Sequence, residues 1–147
     1  MHPTASIEVF LTPNEINISK ISDLSVHNCG AVVVFTGKTR QEEHREHGIL
    51  TSLNYSCYEE LAQKTIEEIA LEATQRFPVH AIRIAHSTGE VKVNEPSVVI
   101  AVGGLHRAEA FEACRFLIDA IKDRVAIWKK EQWSHGSTWS EGKEIKL

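Results

Sequence analysis

The chain has 147 residues, of which 42% are hydrophobic and 24% are charged. These proportions are typical of globular proteins and exclude disordered and fibrous chains. Lys and Arg number 16 against 20 Asp and Glu, a net charge of −4, so there is no general basic field for nucleic-acid binding and any anion site must be local. A chain of this length can bury one hydrophobic core, and we predict a single domain over residues 1–147.

The cysteines and the N-terminus indicate the compartment. Cys29, Cys57 and Cys114 include no C-x-x-C pair, which argues against a disulfide framework and a thiol-based zinc ribbon. The N-terminus lacks a basic segment followed by an apolar one, and the apolar runs at 31–35 and 98–102 are too short to span a bilayer. We therefore predict a soluble, cytoplasmic protein, and we expect neither a metal nor an organic cofactor.

The first third of the chain predicts two strands and a helix between them. Residues 7–11 are β-branched and aromatic, as in a strand. A short helix then follows Ser19 as its N-cap, with an apolar face that reaches Val26 and a stop signal at 28–30. Residues 31–35 are continuously apolar, which favours a strand covered on both faces.

The middle of the chain predicts a loop, a strand and a long helix. Residues 37–48 are polar and charged without an apolar period, which favours a solvated loop. Alternation over 49–55 predicts a half-buried strand whose apolar set starts at Ile49. Residues 59–77 carry apolar side chains at helical spacing before Pro78, and we predict the longest helix there.

The remaining elements indicate a sheet built from hairpins and a second long helix. Residues 81–86 and 90–93 alternate on either side of a turn, and 97–102 is a buried strand. A helix is predicted over 107–124, with the apolar positions Phe111, Cys114, Ile118, Ile121 and Val125. The chain then becomes extended and ends in a hairpin around 134–137. The order predicts an α+β fold, a mixed and largely antiparallel sheet packed with about three helices.

An anion site is suggested where the buried strand passes into the second long helix. The sequence lacks the P-loop and dinucleotide fingerprints, but Gly103-Gly104 offers free backbone N–H groups beside His106 and Arg107 at the helix N-terminus. A tight strand-to-helix turn also explains the glycines, and on the glycines alone it is the favoured interpretation. A cation at a helix N-terminus is unfavourable unless an anion compensates it, so the arginine favours a bound anion.

Two lysines near the C-terminus are the other candidates for chemistry. Lys122 lies in the last turn of the second long helix, and Lys129 lies in the extended segment that follows. Lysine at a helix C-terminus often only complements the macrodipole, and Lys129 also fits a charged strand edge. The spacing alone leaves open whether the two ammonium groups converge.

Other constellations are weaker. His44 and His47 form an H-x-x-H pair in a Glu- and Arg-rich loop, which is more often solvated surface than a zinc site. Cys114 shares the apolar helix face and is expected to pack in the core. The tryptophans between 128 and 139 fit core or interface anchors better than a base-stacking platform, given the acidic net charge.

The ordered motifs resemble one known family over nearly the whole chain, from residue 7 to residue 139. The segments that carry the resemblance are Gly30-Ala31 through Phe35-Thr36-Gly37-Lys38-Thr39-Arg40, Tyr55-Ser56-Cys57-Tyr58-Glu59, His106-Arg107-Ala108-Glu109-Ala110-Phe111, Ile121-Lys122 and Ile127-Trp128-Lys129-Lys130-Glu131. In this order and spacing they resemble the large, catalytic subunit of molybdopterin synthase, the MoaE family. The departures from the family pattern are Ser87 after His86, Ala126, and Gly103-Gly104-Leu105 before His106.

The resemblance implies an enzyme, a sulfur transferase that converts cyclic pyranopterin monophosphate to molybdopterin in molybdenum cofactor biosynthesis. The sulfur would come, in two transfers, from the C-terminal Gly-Gly thiocarboxylate of a small ubiquitin-like subunit of the MoaD type. The family fold is an α/β hammerhead. The implied assembly is a heterotetramer, in which two small subunits flank a central homodimer.

The resemblance also implies residue roles. The catalytic lysines of the family fall on Lys122 and Lys129, which would also bind substrate. Its pocket arginine falls on Arg40, and its His-Arg pair falls on His106 and Arg107. Arg40, His106 and Arg107 would complement the substrate phosphate, and the lysines would manage protons and developing negative charge.

Two other function classes stay open on the residues alone. One is a non-catalytic interaction module that keeps the partner groove, against which the presence of both lysines argues. The other is a phosphate-ester binder or hydrolase that uses His106 and Arg107, but no paired carboxylates or metal signature support it.

Overall fold

The computed structural model describes residues 5–25 and 27–140, which form strands and helices in an α+β arrangement. In chain order the elements are β1 (Ser6–Thr12), α1 (Ile18–Ser22), β2 (Ala31–Lys38), β3 (Glu43–His44), β4 (Gly48–Cys57), α2 (Glu59–Arg76), β5 (Val79–Ser87), β6 (Glu90–Lys92), β7 (Pro96–Gly104), α3 (Arg107–Arg124), β8 (Ile127–Trp133) and β9 (Gly136–Trp139). The predicted fold class is confirmed, since most strand pairs are antiparallel and α2 and α3 match their predicted ranges within a residue. No helix within the described ranges is long and apolar enough to cross a membrane.

The first sheet has the strand order β1-β5-β7-β2 and helices on both faces. Strand β1 runs parallel to β5, whereas β5, β7 and β2 are mutually antiparallel. Along β7, Val98 and Ile100 pack into the main core with α2 and α3, while Val99 and Ala101 face the clusters around α1. Alternate side chains of β7 therefore pack against helices on opposite faces of the sheet, and the strand is buried along its whole length.

The second sheet is built on β4, which pairs with β3 and β6 and, antiparallel, with β8. Strand β9 closes the sheet in the predicted C-terminal hairpin with β8. The predicted pairing of 81–86 with 90–93 is wrong, because β6 leaves the first sheet to pair with β4. The two sheets therefore meet where β5 passes into β6.

The first helix is shorter than predicted. Asn17, not Ser19, is the N-cap, and its side chain accepts a hydrogen bond from the Lys20 backbone N–H at 3.1 Å. The helix ends at Ser22. The Arg83 guanidinium donates hydrogen bonds to the carbonyl oxygens of Lys20 and Asp23 on either side of this end. A cation at the C-terminus of a helix satisfies its free carbonyls. The predicted apolar position Val26 lies outside the described residues.

The prediction that 31–35 is covered on both faces is wrong. Strand β2 lies at an edge of its sheet, and only the face that carries Val33 and Phe35 packs against the core. Val32 remains 46% exposed on the other face. The predicted loop at 37–48 is also partly ordered, because β2 extends to Lys38 and β3 pairs with β4.

Two predicted apolar faces are shifted. A register irregularity between Leu50 and Ser52 resets the alternation of β4, so Leu50 is buried and Ile49 is exposed. A bulge inserts one residue and moves the following side chains to the other face. On α3 the buried stripe centres on Ala113 and Leu117, and Phe111 is 60% exposed.

Candidate active site

A cleft of about 720 Å³ opens at the C-terminal end of α3, where the two sheets meet. Residues from β2, β4, β5, β7, α3 and β8 line it. The charged residues of the lining are Lys38, Arg40, Glu42, Asp119, Lys122, Asp123, Lys129 and Glu131. Cations and carboxylates are equal in number, so the cleft is strongly polar and carries no net formal charge.

Both predicted lysines lie along this cleft. Lys122 stands exposed in the last turn of α3, which ends with the Val125 backbone N–H donating to the Ile121 carbonyl oxygen at 3.1 Å. The Ile127 N–H then donates to the Val125 carbonyl oxygen at 3.0 Å and reverses the chain into β8. This reversal returns Lys129 to the cleft that Lys122 lines.

Strand alternation explains why Lys129, and not Lys130, lines the cleft. Lys129 pairs with Tyr55 across β8 and β4, and both line the cleft, as Glu131 does two residues on. Lys130 lies on the opposite face, where its ammonium group stands 5.7 Å from the ring centre of Trp139. Directly opposed residues share a face, so the register of β4 and β8 selects the lysine.

Arg40 lies at the mouth of the cleft beyond the end of β2. Its guanidinium contacts Glu42 at 3.4 Å, and its side chain is 84% exposed. An exposed pair of this kind contributes little to stability, so the guanidinium is readily redirected to a bound anion. Lys38 also lines the cleft, and sequence reasoning did not single it out.

The floor of the cleft is uncharged and polar, which the sequence analysis missed. Thr39, Ser97 and His86 are buried there, and Tyr55 is half-buried. The His86 ring donates from Nδ1 to the Ser87 carbonyl oxygen at 2.8 Å, and burial lowers the pKa of His86. Burial raises the pKa of Tyr55, which a hydrogen bond with Ser97 partly offsets. These groups are therefore neutral hydrogen-bonding partners near pH 7.

His106 and Arg107 lie at the other end of α3 and do not line the cleft of their own chain. At about 1.5 Å per residue, Arg107 lies about 22 Å from Lys122 along the helix axis. The His106 backbone N–H donates to the Glu109 carboxylate at 3.0 Å, so an internal anion already complements this helix end. Both predicted side chains are exposed.

The other constellations are accounted for by packing. His44 packs between His47 and Trp133 with tilted rings, at 4.5 Å and 5.1 Å between ring centres. Cys114 lies in the core as predicted, and burial raises its pKa to about 11, so it stays a thiol. Within residues 5–25 and 27–140, no three His, Cys, Asp or Glu side chains are grouped to hold a metal ion.

The sequence matches known proteins over most of its length. The model of the MoaE protein family matches residues 11–124. A molybdopterin synthase catalytic subunit from Pyrococcus abyssi is 37% identical over 94% of this chain and 93% of its own. Molybdopterin synthase catalytic subunit 2 from Aedes aegypti is 42% identical over 92% of this chain and 88% of its own.

Solved structures share the fold. The crystal structure of molybdopterin synthase from Staphylococcus aureus superposes with a TM-score of 0.80 at 32% identity, covering 90% of this chain and 95% of that one. A complex of subunits 1 and 2 of molybdopterin-converting factor from Helicobacter pylori gives a TM-score of 0.76 at 21% identity, covering 96% and 94%. The second likeness concerns the fold alone.

Proposed function

The chain belongs to the MoaE family, and from this premise we propose that it converts cyclic pyranopterin monophosphate to molybdopterin. Membership makes it a sulfur-transferring enzyme of molybdenum cofactor biosynthesis. The proposal takes residues 1–147 as a single domain of this type. The observation that carries it is the shared cleft of Arg40, Lys122 and Lys129.

The roles proposed for these residues follow from their charges and places. Lys122 and Lys129 hold protons and stabilise negative charge as the thiocarboxylate sulfur bonds to the substrate and water then cleaves the acyl–sulfur bond, which leaves a carboxylate on the partner. Arg40 binds the substrate phosphate, for which a planar guanidinium is well suited. The lysines stand on opposite sides of a chain reversal and line the same cleft, which supports the proposal that one substrate contacts both.

The proposed sulfur donor is a small ubiquitin-like subunit whose C-terminal Gly-Gly thiocarboxylate enters the cleft. A neighbour of the same fold was solved as a complex of two different subunits, which supports a small-subunit partner. The tail is narrow and anionic, and the cleft offers Lys122 and Lys129 to it. We propose a heterotetramer in which two small subunits flank a homodimer of this chain.

His106 and Arg107 enter the proposal through that homodimer. They lie too far from the lysines of their own chain to contact the same small substrate. The N-terminus of α3 in a second copy of the chain can instead lie beside these lysines. We therefore assign the pair to the phosphate of substrate bound in the cleft of the other protomer. The symmetry of a twofold dimer then gives two equal sites, each built from both chains.

The test is reconstitution. The purified chain is incubated with cyclic pyranopterin monophosphate and a thiocarboxylated small subunit, and molybdopterin is measured. Formation of product is expected, and it requires the thiocarboxylate rather than the plain carboxylate form of the partner. Tight binding of the partner without any product would overturn the enzyme assignment and favour a non-catalytic interaction module.

A further inference from the structure

The floor of the cleft carries a buried hydroxyl group without a partner. Among the described residues, the buried side-chain polar atoms that lack a hydrogen bond are Thr39 Oγ1 and His80 Nε2, and only Thr39 lines the cleft. Thr39 is 2% exposed. Buried polar groups in folded proteins nearly always have partners, so this hydroxyl calls for an explanation.

The backbone of Thr39 is held in place on both sides. Its N–H donates to the Glu95 carbonyl oxygen at 3.1 Å, and its own carbonyl oxygen accepts from the Asn94 N–H at 2.8 Å. Asn94 adopts a positive φ of 74° in the turn before β7, a conformation that asparagine tolerates better than most residues. These bonds hold the main chain at Thr39 but not its χ1 torsion, so the buried hydroxyl can rotate about this bond to meet a ligand.

Ser97 and His86, the other buried polar residues of the floor, already make hydrogen bonds. The Ser97 hydroxyl donates to the Gly37 carbonyl oxygen at 3.2 Å and also bonds with the Tyr55 phenol. His86 donates from Nδ1 to the Ser87 carbonyl oxygen and meets the Tyr55 ring edge-on, with 5.2 Å between ring centres. These contacts hold Ser97 and His86 in place, whereas the fully buried Thr39 hydroxyl has no partner within the described ranges.

We propose that Thr39 is a specificity-determining residue whose hydroxyl hydrogen-bonds a neutral polar atom on the heterocycle of the substrate. This inference rests on the proposed function, because it names a contact in the same cleft. The charged groups of Arg40, Lys122 and Lys129 suit the phosphate and the thiocarboxylate. A neutral hydroxyl suits a ring N–H, a ring nitrogen or a carbonyl oxygen, which a fused pterin ring offers at its edge.

Thr39→Val tests the contact, because valine keeps the shape and removes the hydroxyl. Loss of a neutral hydrogen bond is expected to raise the Kd for cyclic pyranopterin monophosphate about fivefold to tenfold in a calorimetric titration. Thr39→Ser keeps the hydroxyl and is expected to stay within about twofold of wild type. Thr65→Val is the matched control, since the Thr65 hydroxyl bonds the Leu61 carbonyl oxygen on α2, outside the cleft.

Two further measurements distinguish this role in substrate binding from a structural role. Valine replaces an unpartnered hydroxyl, so Thr39→Val is expected to unfold at the same temperature as wild type or a higher one. Inorganic phosphate, used as a competitor, is expected to bind Thr39→Val as it binds wild type. An unchanged Kd for the substrate in Thr39→Val would overturn the inference, as would an equal weakening of phosphate, which would place the hydroxyl on the phosphate.

Failure of the proposed function has a different signature. If wild type binds cyclic pyranopterin monophosphate and forms product while Thr39→Val behaves identically, only the role of Thr39 is lost. If wild type does not bind this compound, the proposed substrate itself is wrong. The titration therefore assigns each negative result to one of the two proposals.

Discussion

The two ends of α3 both present cations, but the structure gives them different surroundings. At the C-terminal end, Lys122 lies in a cleft with Lys129 and Arg40. At the N-terminal end, His106 and Arg107 stand exposed, and Glu109 already caps the backbone. The helix dipole favours a cation at the first end and opposes it at the second. Because Glu109 complements the second end within the chain, the case for a phosphate at Arg107 rests on the proposed homodimer and not on the dipole.

Removal of a cleft lysine is the largest effect expected. Lys122→Ala and Lys129→Ala should each lower single-turnover product formation roughly a hundredfold or more, because a proton-transfer or charge-stabilising group is lost. Lysine to arginine should not rescue fully, since arginine keeps its charge but releases no proton near neutral pH. Lys130→Ala, on the opposite face of β8, is the matched control. Rates near wild type in both cleft variants would leave the interaction-module interpretation in place.

The N-terminal end of α3 is expected to act on binding rather than on the chemical step. Arg107→Ala should weaken binding of cyclic pyranopterin monophosphate roughly tenfold to a hundredfold, because a charge-assisted contact is lost. A direct titration measures it, with Arg115→Ala as the control on an exposed turn of the same helix. An unchanged affinity would remove Arg107 from the phosphate site.

Raising the salt concentration should slow association with the partner rather than destabilise the fold. The thiocarboxylate tail is anionic, this chain carries a net charge of −4 and the formal charges of the cleft cancel, so the attraction is confined to the two lysines that the tail approaches. Association with the small subunit is therefore expected to slow several-fold as ionic strength rises, measured by stopped-flow mixing. A partner that lacks its terminal Gly-Gly should lose most of this salt dependence, and equal binding by the truncated partner would contradict tail insertion.

A smaller effect concerns His86 on the floor of the cleft. Burial holds the pKa of His86 in the folded chain below the ordinary 6.5. As the pH falls below about 6.5, His86 therefore becomes protonated in the unfolded chain while it stays neutral in the folded chain. The free energy of unfolding should therefore fall as pH drops below that value, and His86→Gln should flatten this dependence. Denaturant titrations across this range measure it, and an identical pH profile in the variant would show that other groups dominate.

Local patterns predicted the two long helices, and the family resemblance singled out the candidate lysines, but the wider topology was beyond the local patterns. The apolar period predicted the bounds of α2 and α3 to within one residue, because the 3.6-residue repeat of a helix is visible in its local sequence. The transfer of β6 to β4 and the bulge after Leu50 depend on long-range pairing, which no local pattern encodes. The same holds for the cleft floor. Thr39 and Ser97 are ordinary in sequence, and only the meeting of two sheets makes them neighbours of a ligand.

The most direct test of this account is complementation between two impaired variants, assayed at a substrate concentration well below the Kd of Arg107→Ala so that each variant alone forms little product. Arg107→Ala and Lys129→Ala are coexpressed so that their chains assort into mixed dimers, and molybdopterin formation is measured with the thiocarboxylated partner. A site shared between protomers predicts recovery to about one quarter of wild-type activity, since half of the dimers are mixed and each of these holds one intact site. Activity no higher than that of the two variants assayed separately would contradict a site built from both ends of α3.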